Sequence, residues 1–240
     1  FVRALDDAIL AGSIDAAVHS MMDIPAKRPP GLSTCAILKR DSPADFLAHT
    51  LPIGEVRVIG TTSTRRRAQL LRQIEGITVN QLRGNVDTRL RKFRDREYDA
   101  IVLAEAGLER MGLSVPGTRL SPLEFVPSPN QGTIAVVCRD DPGVRGIFSL
   151  HDHRETRTDV EIERAVMEEV GGGCFTPQGI YSERGHLIGE ILSLDGRRQV
   201  RMEDDISSLE QARVFGRRLR AEGLELIREA YDRLGIRDEG

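Results

Sequence analysis

The chain has 240 residues, of which 40% are hydrophobic and 30% charged, and its formal net charge is −3. This reads as a soluble globular protein of one large or two to three small domains, with no apolar run near the roughly 20 residues of a membrane span and no signal peptide. An acidic chain with 4% aromatic residues argues against nucleic-acid binding, and three widely spaced cysteines make neither a disulfide framework nor a metal-binding pair.

The chain opens at Phe1, without a methionine, directly inside an amphipathic helix Phe1–Leu10 whose apolar side is Val2, Leu5 and Ile9. It therefore reads as the remainder of a longer polypeptide. A strand Asp15–His19 runs into Ser20-Met21-Met22-Asp23-Ile24-Pro25, where Pro25 stops regular structure and leaves Asp23 at a strand's carboxyl end. Strand Leu32–Leu38 follows, and Asp41-Ser42-Pro43 reads as a crossing to a second lobe.

From Val56 strand and helix alternate: Val56–Gly60, Ser63–Ile74, Ile77–Leu82, Val86–Asp95, Ala100–Leu103, then a short helix to Arg110, with Ser63 and Asn85 as N-caps. Pro127-Ser128-Pro129-Asn130-Gln131-Gly132 reads as the return crossing, followed by strand Thr133–Cys138. Helix Thr158–Val170, a glycine-rich loop Gly171–Cys174, strands Gln178–Ser182, Leu187–Leu194 and Gln199–Glu203, and helix Ser208–Leu234, weakened at Gly223, close the chain.

The expected fold class is α/β: two periplasmic-binding-like, doubly wound lobes, the first incomplete, plus a small C-terminal α+β domain. The expected domains are residues 1–41 with 128–152, residues 42–127, and residues 153–240. Two lobes joined by two crossings place a ligand in the cleft between them.

Residues 60–99 hold ten Arg or Lys against five Asp or Glu, so a local basic patch sits on an acidic chain. That pattern favours a small anionic ligand. Ligands of open α/β sheets bind outside the carboxyl ends of strands, where Ser20 to Asp23, Thr61 to Arg66, Arg83 with Arg89, and the Ala104–Arg110 turn fall. Asp23, among arginines, would stay ionised and stabilise a cation or accept a proton; the plainer reading is a turn aspartate. His19, on an apolar strand, reads as a satisfied core histidine, and His151 and His153 match no zinc motif. Cys35 and Cys138 read as small core residues, whereas Cys174 follows three glycines on a loop that is either a structural turn or the presentation of a thiol.

The segments VHSMMDIP, VIGTTSTRRRAQLL, LRGNVDTRL, YDAIVLAEAGLERMGL, PSPNQG and GGGCFTPQG, in this order, resemble the hydroxymethylbilane synthases, also called porphobilinogen deaminases. The resemblance implies a tetrapyrrole-pathway transferase that joins four porphobilinogen molecules head to tail, releasing ammonia. It builds on a dipyrromethane cofactor held by a thioether, which the motif match puts on Cys174. It implies that Asp23 is catalytic, that Ser20, Thr61, Thr62, Ser63, Arg65, Arg66, Arg83 and Gly84 meet the cofactor, and that Arg83, Arg89, Arg110 and Gln131 meet substrate carboxylates. No metal, nucleic-acid or membrane partner is implied, and the expected state is a cytoplasmic monomer.

Departures from the family pattern are Met22 where lysine is usual, Asn130 where glycine precedes the hinge glutamine, and Val170 where glutamate precedes the glycine loop. The family's N-terminal segment is absent, which implies, for a chain complete as it stands, a poorly folded first domain and little activity. The competing reading is a two-lobed carboxylate-binding module without catalysis, which gives Cys174 no role.

Overall fold

The computed structural model describes residues 2–25, 28–171 and 173–235, with the backbone alone for Cys174. Helix α1 (Val2–Leu10) lays Ile9 into a core shared with β1 (Ala16–Ser20) and β2 (Leu32–Ile37); a 3-10 turn, Met21–Asp23, follows β1. The second lobe runs β3 (Asp45–His49), β4 (Val58–Gly60), α2 (Thr64–Gln73), β5 (Thr78–Asn80), α3 (Val86–Arg94), β6 (Ala100–Ala104), α4 (Glu105–Arg110) and β7 (Gly117–Leu120). β8 (Ile134–Arg139) returns to lie between β1 and β2, antiparallel to both. After α5 (Pro142–Ser149) and α6 (Arg154–Val170) come β9 (Gln178–Glu183), β10 (His186–Leu192), β11 (Gln199–Asp205) and α7 (Leu209–Leu234). The class is the expected one: two α/β lobes joined by two crossings, and a small α+β unit of three antiparallel strands backed by α6 and α7.

In the five-stranded sheet β4 lies between β5 and β6, parallel to both, while β3 is antiparallel to β6 and β7. β6 is covered on both faces: Ala100 and Val102 pack with Leu70 of α2, and Ile101 and Leu103 with Leu90 and Phe93 of α3. Double burial explains its unbroken apolar run. Local signals placed α2 and α3 well, since Ser63 Oγ accepts from the Arg66 N–H at 3.3 Å and Asn85 Oδ1 from the Thr88 N–H at 3.0 Å.

Several expectations need correction. β3 and β7 were unforeseen, because β3 starts on a buried carboxylate and β7 is a largely exposed edge strand. α5 is a short surface helix with no buried residue. Helix α7 runs unbroken through Gly223, whose missing side chain makes room for Ile191. Cys35 and Cys138 are buried in the core, yet they are joined as a disulfide, with Cα atoms 6.2 Å apart. Neighbouring strands bring together two residues that are 103 apart in sequence, with Cys35 at the register shift between Thr34 and Ala36.

The two crossings run side by side, with the Asp41 N–H bonded to the Gly132 carbonyl at 3.1 Å. Around them sit two buried carboxylates. Asp45 accepts from Arg65 Nη2 at 2.7 Å, from Arg66 Nη2 and Nε at 2.6 and 3.0 Å, and from Gln131 Nε2 at 3.0 Å. Glu163 of α6 accepts from Arg40 Nη1 at 2.6 Å and from the backbone N–H groups of Asn130 and Ser182 at 2.5 and 2.9 Å. Arg40 Nε also donates to the Gln131 carbonyl at 2.8 Å, so Gln131 links the two clusters. Burial pushes the Asp45 carboxyl up, but two adjacent guanidiniums outweigh it and hold its pKa below the usual carboxylate range. Glu163 has one guanidinium, burial wins, and its pKa is raised.

Asn130 itself has φ of +65°, the left-handed region where glycine is at ease.

Asp45→Asn leaves two buried guanidiniums facing a neutral acceptor and should cost about 3–5 kcal/mol in urea unfolding at neutral pH. Because the folded pKa is depressed, this contribution is complete above the ordinary carboxylate pKa and is lost as pH falls through the folded value. The wild-type and variant stabilities should therefore converge in acid; curves parallel down to the most acidic folded sample would sink the assignment. A second comparison tests the α6–α7 contact. A Cβ at Gly216 would meet the Val166 carbonyl oxygen at 3.0 Å, whereas one at Gly223 meets the movable Ile191 Cδ1 at 2.6 Å. Gly216→Ala should lower Tm more than Gly223→Ala, by roughly 1–3 kcal/mol in stability.

Candidate active site

The turn after β1 is fixed from three sides. The Met21 N–H donates to the Thr133 carbonyl at 2.9 Å, the Ile24 N–H donates to the Met21 carbonyl at 3.2 Å, and Met21 and Ile24 are buried. From α6, Arg164 donates to the carbonyls of Ile24 and Pro25 at 3.2 and 2.9 Å. Burial lowers the Arg164 pKa. With its neighbours anchored inward, Asp23 is left exposed beside Met22, and Ser20 is half-buried at the head of the turn. The sequence reading missed Arg164, since nothing in the α6 pattern marks a cation that grips a turn 140 residues earlier.

A cleft of about 770 Å³ runs between the lobes and the C-terminal unit. Met22 and Asp23 form one wall; Thr62, Ser63, Arg66 and Arg89 form another; Gly171, Gly173 and Gln178 line the side of the C-terminal unit. Thus residues from three distant segments meet. The first residues of α2, Thr64 and Arg65, line the same space, and a helix N-terminus favours an anion.

The arginines have different fates. Arg65 lines the cleft but is 3% exposed, and its donors reach Ser128 Oγ at 3.0 Å, the Val126 carbonyl at 2.8 Å and Asp45. It braces the hinge. Arg66 gives Nε and Nη2 to Asp45 and Nη1 to the Val102 carbonyl at 3.4 Å, while part of the side chain lines the cleft. Arg89 donates from Nε to the Gly84 carbonyl at 2.7 Å. Burial lowers the Arg89 pKa, and the charge of Arg66 lowers it further. Two guanidiniums facing one cleft repel each other, and a bound carboxylate relieves that repulsion.

Other predicted residues do not line this cleft. Arg83 and Gly84 are exposed on the loop before α3, where Gly84 has φ of +123° and a Cβ would come within 2.7 Å of Thr88 Cγ2. Arg110 donates to Asp41 at 2.7 Å and to the Gly132 carbonyl at 3.0 Å, clasping both crossings. Gln131 is buried at the hinge, and Thr61 is buried with its Oγ accepting from the Ser63 N–H at 3.2 Å. His19 is 5% exposed, but its Nε2 has no partner, against the expectation of a satisfied core histidine. β1 turns it to the Ala17 side, where Asp6 pairs with Arg28 instead, and burial lowers its pKa.

Cys174 lies in the 3-10 turn Gly173–Phe175; its side chain is outside the described residues. Gly171 and Gly173 both have positive φ, 65° and 55°, so the loop needs glycine there. Arg220 of α7 donates to the Val170 carbonyl at 2.5 Å and Gln178 Nε2 to the Gly171 carbonyl at 3.1 Å, so the loop is held from both sides.

Two family models match this chain. Residues 1–144 match porphobilinogen deaminase, dipyromethane cofactor binding domain, and residues 158–225 match porphobilinogen deaminase, C-terminal domain. A probable porphobilinogen deaminase of Methanosarcina acetivorans is 51% identical over 233 residues, covering 91% of this chain and 74% of its own length. A probable porphobilinogen deaminase of Archaeoglobus fulgidus is 43% identical, covering 92% of this chain and 80% of its own length. The porphobilinogen deaminase of Nitratidesulfovibrio vulgaris is 40% identical, covering 93% of this chain and 70% of its own length. With one face of the cleft carrying a carboxylate, another guanidiniums, and a cysteine loop along the third, this chain belongs to the porphobilinogen deaminase family, transferases of tetrapyrrole biosynthesis that work on a dipyrromethane cofactor.

Proposed function

We propose that this cleft condenses porphobilinogen units head to tail, four per product, with Asp23 as the catalytic group and Cys174 as the cofactor's point of attachment. The observation that carries the reading is the convergence on one cleft of Asp23, of Thr62, Ser63, Arg66 and Arg89, and of the glycine loop around Cys174. The donor set fits a dipyrromethane: its carboxylates match guanidiniums, hydroxyls and the N-terminus of α2, and its pyrrole N–H groups match a carboxylate. When bound, the cofactor supplies a pyrrole with a free ring carbon as the nucleophile.

The chain's own groups do the rest. Asp23 is exposed to the cleft, where its carboxylate accepts a pyrrole N–H and stabilises the positive charge that develops on the substrate ring as its aminomethyl C–N bond breaks. The substrate's aminomethyl group reacts in its protonated form, so the bonding electrons leave with nitrogen as ammonia. The new carbon–carbon bond releases a ring proton, which Asp23 is positioned to take. Arg66, Arg89, Thr62 and Ser63 hold the carboxylates, and the exposed Arg83, on the loop before α3, adds positive charge on the same lobe. Arg65, Arg110, Gln131 and Thr61 act from behind, fixing the walls.

In this reading residues 1–41 with 128–152 carry Asp23, residues 42–127 carry the carboxylate sites and residues 153–240 carry the cysteine loop. Separate buried cores support the division, although Val160 of α6 packs into the first of them. No helix among the described residues is long and apolar enough to cross a membrane. A carboxylate-binding module without catalysis leaves the cysteine loop without a role.

Intact mass and turnover test the roles together. Cys174→Ser should lose a covalent dipyrromethane that the wild-type chain carries. Asp23→Asn should keep the adduct while turnover falls by about 10²-fold or more. Adduct surviving in Cys174→Ser, or near-normal turnover in Asp23→Asn, would overturn the assignments. Arg89→Gln should raise KM with a smaller effect on kcat, since the guanidinium meets the substrate before and during reaction.

A further inference from the structure

The turn that carries Asp23 is too short to hold itself. Met21–Asp23 is one 3-10 turn, closed by the Ile24 N–H on the Met21 carbonyl at 3.2 Å, and Pro25 has no N–H with which to continue it. Before the turn, the Met21 N–H is tied to the Thr133 carbonyl. After it, the carbonyls of two consecutive residues, Ile24 and Pro25, go to the one guanidinium of Arg164, through Nη1 at 3.2 Å and Nη2 at 2.9 Å. Arg164 itself does not line the cleft.

α6 does not need Arg164 in order to dock on the first lobe. Arg157, Val160 and Arg164, spaced three and four residues apart, share one face of the helix. Val160 is buried in the core of that lobe, Arg157 Nη2 donates to the Thr34 carbonyl at 3.2 Å, and Thr156 Oγ1 accepts from the Arg40 N–H at 3.1 Å. Those contacts seat the helix; what Arg164 adds is aimed at the two residues after Asp23. We infer that Arg164 is a positioning residue for the reaction, its forked guanidinium fixing the turn so that the Asp23 carboxylate stands where the substrate's positive charge develops. The proposal rests on the reading that Asp23 is catalytic. A planar fork suits the task, since two donors at a fixed separation set both the place and the tilt of consecutive carbonyls, which a single ammonium does not. A carboxylate that stabilises a developing charge has to be in place before the charge appears, and a misplacement of about 1 Å can cost 10²-fold in rate.

Steady-state turnover of the cofactor-loaded chain tests this, with adduct checked by intact mass and stability by Tm. Arg164→Met keeps an apolar stem and loses both donors, so kcat should fall about tenfold or more while KM stays within about twofold of the wild type and the adduct is retained. Arg164→Lys, with its charge but no fork, should recover part of that loss and serves if the methionine variant folds poorly. Arg157→Met, two turns earlier on the same face, should lower Tm yet keep kcat, which separates a loosened helix from a displaced carboxylate. Because Arg164 acts through Asp23, adding Arg164→Met to Asp23→Asn should lower turnover by less than about twofold further. Wild-type kcat in the Arg164 variant that folds, a rise in KM alone, or the whole tenfold fall repeated in the Asp23→Asn background would overturn this proposal alone. Near-normal turnover in Asp23→Asn itself would remove the Asp23 reading and this proposal with it.

Discussion

The carboxylate of Asp45 is the fixed point of the molecule. Its two oxygens receive both arginines at the start of α2 and the side chain of Gln131 from the return crossing. Burial alone would favour a neutral acid there; two guanidiniums reverse the sign. Arg65 passes the constraint on to the Val126 carbonyl and to Ser128, so sheet, helix and crossing share one ion cluster. The Thr62 and Ser63 hydroxyls that open onto the cleft inherit their position from that cluster behind them.

The basic stretch shows how little a charge count says about a site. Arg65 and most of Arg66 are turned inward, Arg67 donates to the Val79 carbonyl at 2.5 Å, Arg83 is exposed, and Arg89 shares the cleft with one edge of Arg66. A sequence reports the charge, while the partners that neutralise or free it are set by tertiary neighbours. The same holds for Glu163, a helix residue that looks solvated by pattern and proves fully buried between Arg40 and two backbone donors.

Legibility followed the range of the interactions involved. α2 and α3 were readable because their caps bond within three residues, and β6 because both of its faces are apolar. β3 was not, since Asp45 looks like a turn residue until arginines 20 and 21 positions later are brought against it. The pairing of Cys35 with Cys138 required knowing that β2 and β8 are neighbours. Strand-end logic and motif pointed to Asp23 and Arg89, which line one cleft, whereas Arg164 acts across 140 positions on carbonyl groups, which leave no trace in a sequence.

Helix α6 has a consequence for product length. Arg164 clasps the turn that bears Asp23, and seven residues later the same helix gives way to the loop that bears Cys174. At about 1.5 Å per residue, those two attachment points are separated by roughly 10 Å of continuous helix. α6 thus acts as a caliper with one jaw on the turn that bears Asp23 and the other on the loop that bears Cys174. On the proposed mechanism each added ring lengthens the chain between jaws that the helix holds at constant spacing, so the growing polymer must fold back on itself or displace the arginine-bearing lobe.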